Sequence, residues 1–263
     1  MATIIAIACQ KGGTGKTTTA MTLGAALGAE HRHRVLLVDL DPQSSLSIST
    51  RVDVLDLEHS IYDVFQDAMR KPGKIKETVA TAILSTGLEN VDILPATIEL
   101  SNAELELISS LEREKILKKI LTPLRRNYDF IILDCPPSLG ILTVNALVAA
   151  DQVLIPVEAD YLAMRGVQLF METTLPQIKT GLNRKLQLVG ILLTKMDRRT
   201  IHAREVLEAL KQEYGELVLE PTIPHTVKVR DASIAGTTIL TFSPSSAAAG
   251  AYREIVRKLL KEA

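Results

Sequence analysis

A chain of 263 residues with 46% hydrophobic content can bury a sizeable core as one α/β domain. Its 30 Lys and Arg against 31 Asp and Glu leave a net charge of −1, which excludes a global basic field, so any contact with nucleic acid has to come from a local patch. With no Trp and only 3% aromatic residues, the chain lacks the stacking platforms that hold single-stranded nucleic acid.

Met1-Ala2-Thr3 leads into an apolar run without a signal-peptide pattern, and a first strand is expected over Thr3–Ala8. Gln10-Lys11-Gly12-Gly13-Thr14-Gly15-Lys16-Thr17-Thr18 follows. Its glycines let the backbone curl until successive N–H groups point inward at phosphate oxygens. A helix expected over Thr18–Ala29 adds the partial positive charge of its N-terminus to the same spot. Lys16 supplies a full charge for the β- and γ-phosphates of a nucleotide, and the Thr17 hydroxyl suits Mg²⁺. The common P-loop pattern asks for Gly where Gln10 stands; Lys-Gly-Gly-x-Gly-Lys-Thr remains, with Lys11 as an additional lysine in front.

Further strands are expected at Arg34–Val38, Val91–Leu94, Phe130–Leu133, Gln152–Pro156, Leu186–Thr194 and Val218–Leu219. They are rich in β-branched residues and show no polar alternation, so both faces should be covered. Amphipathic stretches between them, such as Leu111–Leu124 and His202–Tyr214, read as helices. The pattern predicts a single-domain P-loop NTPase over residues 1–263, a mainly parallel twisted sheet with helices on both faces. Chemistry should gather at the carboxyl ends of the strands, where Gly12–Thr18, Asp39–Gln43 and Asp134–Ser138 all fall. Asp134, ending an apolar strand, is positioned to hold Mg²⁺ through a water. Asp39 and Asp41 flank Leu40 and point the same way if strand geometry persists; the alternative is that one of them only binds the Pro42 turn. Cys9 and Cys135 sit at the ends of separate strands and read as buried thiols of a reducing cytosol. No apolar run reaches the roughly 20 residues that cross a bilayer.

Lys11-Gly12-Gly13-Thr14-Gly15-Lys16-Thr17-Thr18 resembles the deviant Walker A signature of the ParA/MinD ATPases. Asp39-Leu40-Asp41-Pro42-Gln43 resembles the switch I segment of ParA, and Ile131 to Gly140 its Walker B strand and switch II. Asp197-Arg198-Arg199-Thr200 and Ile223-Pro224-His225-Thr226-Val227-Lys228 are similar to two later segments, in the family's order. The resemblance implies ATP and Mg²⁺ as ligands, with Lys11 through Thr18 on the phosphates and Pro224 and Thr226 beside the adenine. Thr194-Lys195-Met196-Asp197 has Thr where the guanine-reading motif of GTPases has Asn. It further implies that Asp41 orients the attacking water, that Asp39 joins Thr17 and Asp134 around the metal, and that Lys11 reaches a partner subunit's nucleotide. ATP would then close a sandwich homodimer that binds double-stranded DNA without sequence preference. Arg199, Lys228, Arg230, Arg257 and Lys258 are the candidate DNA contacts. His225 stands where ParA often has Arg, and Ser245-Ser246 where more basic residues are usual.

The same resemblance implies a ParB-like or cargo-adaptor protein that stimulates hydrolysis, a cytoplasmic location on the nucleoid, and positioning of plasmid, chromosome or protein cargo. The helix-turn-helix domain of longer relatives is not expected before the first strand. The alternative is a MinD-like membrane-associated ATPase regulating division-site placement. The terminal helix is amphipathic and basic, but MinD carries a separate membrane segment beyond it. A cluster-bridging role like that of nitrogenase iron protein needs two well-placed cysteines, which Cys9 does not provide.

Overall fold

The computed structural model describes residues 1–262. Eight strands form one sheet: β1 (Thr3–Ile7), β2 (Val35–Asp39), β3 (Leu84–Ser85), β4 (Val91–Leu94), β5 (Phe130–Asp134), β6 (Gln152–Glu158), β7 (Gln187–Thr194) and β8 (Val218–Leu219). Their order is β3-β4-β2-β5-β1-β6-β7-β8, parallel throughout except for the β3–β4 pair at one edge. β1 is therefore central. The chain leaves it toward β2 on one side, returns with β5, and continues through β6 on the other side. That reversal is the topological switch point where open α/β sheets bind ligands.

The helices are α1 (Lys16–Ala25), α2 (Ser45–Ser49), α3 (Ile61–Arg70), α4 (Ile75–Ala82), α5 (Leu100–Ile108), α6 (Ile116–Leu121) and α7 (Ile141–Ala149) in the first half. α8 (Tyr161–Leu169), α9 (Leu175–Gln177), α10 (Ile201–Tyr214), α11 (Val227–Ile234), α12 (Ile239–Phe242) and α13 (Ala247–Glu262) follow. Strand residues alternate between two cores. Ile4, Ala6, Leu36, Val38, Ile131 and Leu133 face α3, α5, α6 and α7. Ile5, Ile7, Leu37 and Ile132 face α1 and α13. Period-two burial on both sides is what a helix-covered parallel sheet requires. Gly24 lets α1 seat closely on β2, because a Cβ there would lie 2.8 Å from Leu37 Cδ2.

The amino ends of the central strands are laced together. Asp151 Oδ2 accepts from Ile4 N at 2.9 Å, and its Oδ1 pairs with Arg125 Nη2 at 2.8 Å. Arg125 Nη1 reaches Ala2 O at 3.1 Å. Asn183 Nδ2 donates to Leu147 O at 2.9 Å and Ala150 O at 2.7 Å.

The expected strands are present with small shifts. β2 runs on to Asp39 and β6 to Glu158, while β1 stops at Ile7, so Cys9 lies in the loop rather than in the strand. The helix expected over Thr18–Ala29 begins earlier, at Lys16, and closes in a π-helical turn over Ala26–Glu30. Leu111–Leu124 is not one helix. Glu112 takes a left-handed conformation (φ 50°), Arg113–Lys115 forms a 3₁₀ turn, and Pro123 stops α6. Among the described residues, no helix is long and apolar enough to cross a membrane.

Candidate functional site

The loop between β1 and α1 forms the floor of a cleft of about 720 Å³, within the usual range for small-molecule sites. Gly13 and Gly15 adopt φ of 76° and 84°, a region that side-chain-bearing residues rarely enter. Lys16 is buried, and its Nζ donates to Lys11 O at 3.1 Å, which holds it across the loop. Thr14 O accepts from the Thr194 hydroxyl at 2.7 Å, tying the loop to the end of β7. α1 begins at Lys16 with no acidic residue in its first turn, so its N-terminus stays electropositive.

Lys11 is turned elsewhere. Its ammonium forms an ion pair with Asp160, just beyond β6, and that contact raises its pKa. Gly12, Gly13, Gly15, Lys16, Thr17 and Thr18 line the cleft, whereas Lys11 borders a separate open groove with Leu162, Arg165 and Leu169.

Asp39 and Asp134 end β2 and β5, and are direct partners in the strand register. Both are buried. Asp39 accepts from Ser47 N at 2.9 Å, Ser47 Oγ at 2.7 Å and Asp41 N at 3.1 Å. Burial nonetheless raises its pKa to about 6, against the opposing pull of those donors. Neither oxygen of Asp134 has a hydrogen-bond partner among the described residues. Burial first, and then the charge of Asp39, hold its pKa well above the ordinary range. Thr17 and Lys16 pull the other way, yet the Thr17 hydroxyl does not reach hydrogen-bonding geometry with either oxygen. A buried carboxyl without partners, beside a threonine hydroxyl at a phosphate-binding loop, is the donor set that a hydrated Mg²⁺ satisfies. Asp39 is different, since its oxygens already serve Ser47 and the Asp41 amide.

The strand geometry under which Asp39 and Asp41 would point alike does not persist, because β2 ends at Asp39 and the chain turns. Asp41 Oδ1 accepts from Gln43 N at 2.9 Å, and the residue lines the cleft together with Gln43, Ser45 and Ser49. It serves the Pro42 turn and faces the cleft at once.

The opposite wall is built by Ile223 to Val227 and by α11. Met196 and Pro224 form an isolated parallel bridge; Met196 N donates to Ile223 O at 2.9 Å, and His225 N to Met196 O at 3.0 Å. Pro224 and Thr226 both line the cleft, and the Thr226 hydroxyl caps α11 by accepting from Lys228 N at 3.3 Å. The candidate DNA contacts come from the loop before α10, from α11 and from α13. Arg199 makes a bidentate pair with Asp197, holding that carboxyl down at about 2. Arg257 pairs with Glu254, Lys228 Nζ reaches Ser243 Oγ at 3.4 Å, and Glu220, whose pKa is lowered chiefly by its hydrogen bond from Lys211, also feels the charges of Arg198 and Lys258. Arg230 lines the nucleotide cleft instead. Cys9 and Cys135 are buried free thiols, and burial pushes the Cys135 thiol far up, so it is not a reactive thiolate.

Sequence patterns gave no notice of Ser47, Asp160 or Tyr252, whose hydroxyl lies 3.2 Å from Thr19 Oγ1 beneath α1. Thr194 had a signal, standing at a strand's carboxyl end beside the P-loop.

The chain is similar to known proteins over nearly its whole length. A family model described as an AAA domain matches residues 2–188. The sporulation initiation inhibitor protein Soj of Bacillus subtilis is 40% identical over 259 residues, covering 98% of each chain. The chromosome partitioning protein ParA of Myxococcus xanthus is 38% identical over 258 residues, covering 98% of this chain and 88% of its own. Among solved structures, a Mycobacterium smegmatis protein described as cobyrinic acid a,c-diamide synthase, with bound ADP and magnesium, is 39% identical. It matches 100% of this chain and 95% of its own with a TM-score of 0.83.

Proposed function

Because the chain belongs to the ParA/Soj family of partition ATPases, we propose that Mg²⁺·ATP closes it into a sandwich homodimer that holds double-stranded DNA without sequence preference. A ParB-like or cargo-adaptor partner then stimulates hydrolysis and releases the dimer. The observation that carries this reading is the orientation of Lys11, turned out of its own cleft into an open groove beside it. A lysine so placed serves a nucleotide held by a second copy once it exchanges Asp160 for the phosphates, in the way an arginine finger acts in trans.

Within one subunit, the loop amides and Lys16 hold the phosphates, and Pro224 and Thr226 border the base. Mg²⁺ would be held by the Thr17 hydroxyl and, through water, by Asp134, and supplies charge neutralisation at the β- and γ-phosphates. Asp41, facing the cleft, orients the attacking water and accepts its proton. DNA affinity comes from Arg199, Lys228, Arg257 and Lys258, each doubled on dimerisation; Arg230 is better suited to the nucleotide.

The membrane alternative has less support. The apolar face of α13, including Tyr252, Ile255, Val256 and Leu259, is spent on the core against α1 and the sheet. Co-sedimentation with plasmid DNA and with anionic liposomes, each under ATP and ADP, tests the choice. ATP-dependent recovery with DNA is expected. Equal recovery in ATP and ADP, or recovery with liposomes alone, overturns the reading.

A further inference from the structure

The two walls of the cleft are far apart in sequence. One is switch I with α2, through Asp41, Gln43, Ser45 and Ser49; the other is α11, through Val229, Arg230 and Ser233. A side chain bridges their far ends. Arg51 Nη2 donates to Ala235 O, the carbonyl just past α11, at 2.6 Å and across 184 residues of sequence.

The local backbone at both ends of this bridge is unusual. Arg51 N donates to Ile48 O at 3.0 Å and Val52 N to Ser47 O at 3.1 Å, a Schellman closure of α2. Arg51 occupies its left-handed position, φ 65°, where glycine is the preferred residue. Opposite it, Gly236 also has a left-handed φ, 62°, and a Cβ there would lie 2.3 Å from Arg51 Nε and 2.4 Å from its Cγ. An arginine stands where a helix end favours glycine, and a glycine leaves room for its arm. The same α2 segment is anchored at the metal end of the site, because Ser47 N and Oγ both donate to Asp39.

We infer that Arg51 is a positioning residue, a strut that fixes α11 against α2 so that the base-side wall of the cleft is held in register with switch I. The inference rests on the reading that the base lies against the wall formed by Pro224, Thr226 and α11. Without the strut, the P-loop still grips phosphates, but α11 no longer closes on the base and ribose.

Arg51→Gly is the decisive variant, since glycine is at home at this φ and a mere helix cap would be satisfied by it. Gly236→Ala displaces the arm from the other side, and Arg51→Lys restores a donor. Calorimetry with Mg²⁺·ADP and with Mg²⁺·pyrophosphate separates base from phosphate binding. Arg51→Gly and Gly236→Ala should each lose about tenfold in ADP affinity, the worth of one charge-assisted hydrogen bond, with pyrophosphate affinity within about twofold of wild type. Arg51→Lys should recover part of the loss. In hydrogen exchange, ADP should slow the amides of 229–236 in wild type but not in Arg51→Gly, while protection of 12–18 is kept. Unchanged ADP affinity and unchanged protection in Arg51→Gly would overturn the strut, as would an equal loss for ADP and pyrophosphate. Wild-type protein binding pyrophosphate as tightly as ADP would instead overturn the base-wall reading beneath it.

Discussion

Stripped of metal and nucleotide, the protein should gain stability as the solution is acidified from about pH 7.5 to about pH 5. Asp39 titrates at about 6 in the folded chain, against 3.8 for the free side chain, chiefly because it is buried. The folded state therefore binds this proton more tightly than the unfolded state. Its stabilising contribution is complete below pH 3.8 and is lost as pH rises through about 6. A shift of about two units corresponds to roughly 3 kcal/mol, of which about 1.4 kcal/mol returns between pH 7.5 and pH 5. Asp134 adds in the same direction. Glu112 and Asp197, held down at about 2 by exposed ion pairs, act oppositely, but their contributions fade only below their unfolded values of 4.5 and 3.8.

Urea unfolding in EDTA across this window measures the gain. Asp134→Asn removes a buried carboxyl whose ionisation burial and the charge of Asp39 oppose, without breaking a hydrogen bond to either oxygen. The variant should be more stable than wild type at about pH 7.5 and show a flatter profile. Adding Mg²⁺ and ADP, which favour the ionised carboxylates, should abolish the acid gain. Metal-free stability that is flat or falls toward pH 5, or an Asp134→Asn profile identical to wild type, would refute the reasoning.

Lys16→Ala deletes a buried charge facing the phosphates and should weaken ATP binding by about 30- to 100-fold in calorimetry. Asp41→Ala should lower ATP turnover by about 10²- to 10³-fold while leaving a persistent ATP-bound dimer in size-exclusion chromatography. Lys11→Ala should do the reverse, keeping nucleotide affinity near wild type while losing ATP-driven dimerisation. For DNA, Arg199→Ala should flatten the log–log salt dependence of binding by about 0.9 per lost contact and per subunit, equally on unrelated sequences, with DNA-free turnover unchanged.

Much of this architecture is legible in the sequence because parallel strands covered on both faces are continuous apolar runs. Ile4 to Ala8 and Phe130 to Leu133 could hardly be anything else, and the acidic residues that follow Val38 and Leu133 mark the strands' functional ends. β3 leaves no mark in the sequence because two residues, paired only at an edge, carry no periodicity. Leu111–Leu124 has the apolar spacing of one helix, although Glu112 and Pro123 interrupt the backbone. Of the site, the glycine-rich turn and the strand-end position of Asp134 are legible because each is local to one motif. The Lys11–Asp160 pair and the Ser47–Asp39 contacts depend on how separate loops meet, which no spacing encodes. Arg199 and Arg257 stand out in the sequence as candidate DNA contacts, yet each has an acidic neighbour two or three residues away that pairs with it.

The lacing of Asp151, Arg125 and Asn183 at the amino ends of the strands has a practical consequence. It fastens the segments that begin β1 and β6 to the helix ends around them, on the side of the sheet away from the nucleotide. Local opening at that end has to break several hydrogen bonds together. A fluorophore attached to the quiet end would ride on an immobile platform. Its signal would report encounters between whole molecules, and a second dye on α11 would report the cleft, so association and closure can be timed separately in one sample.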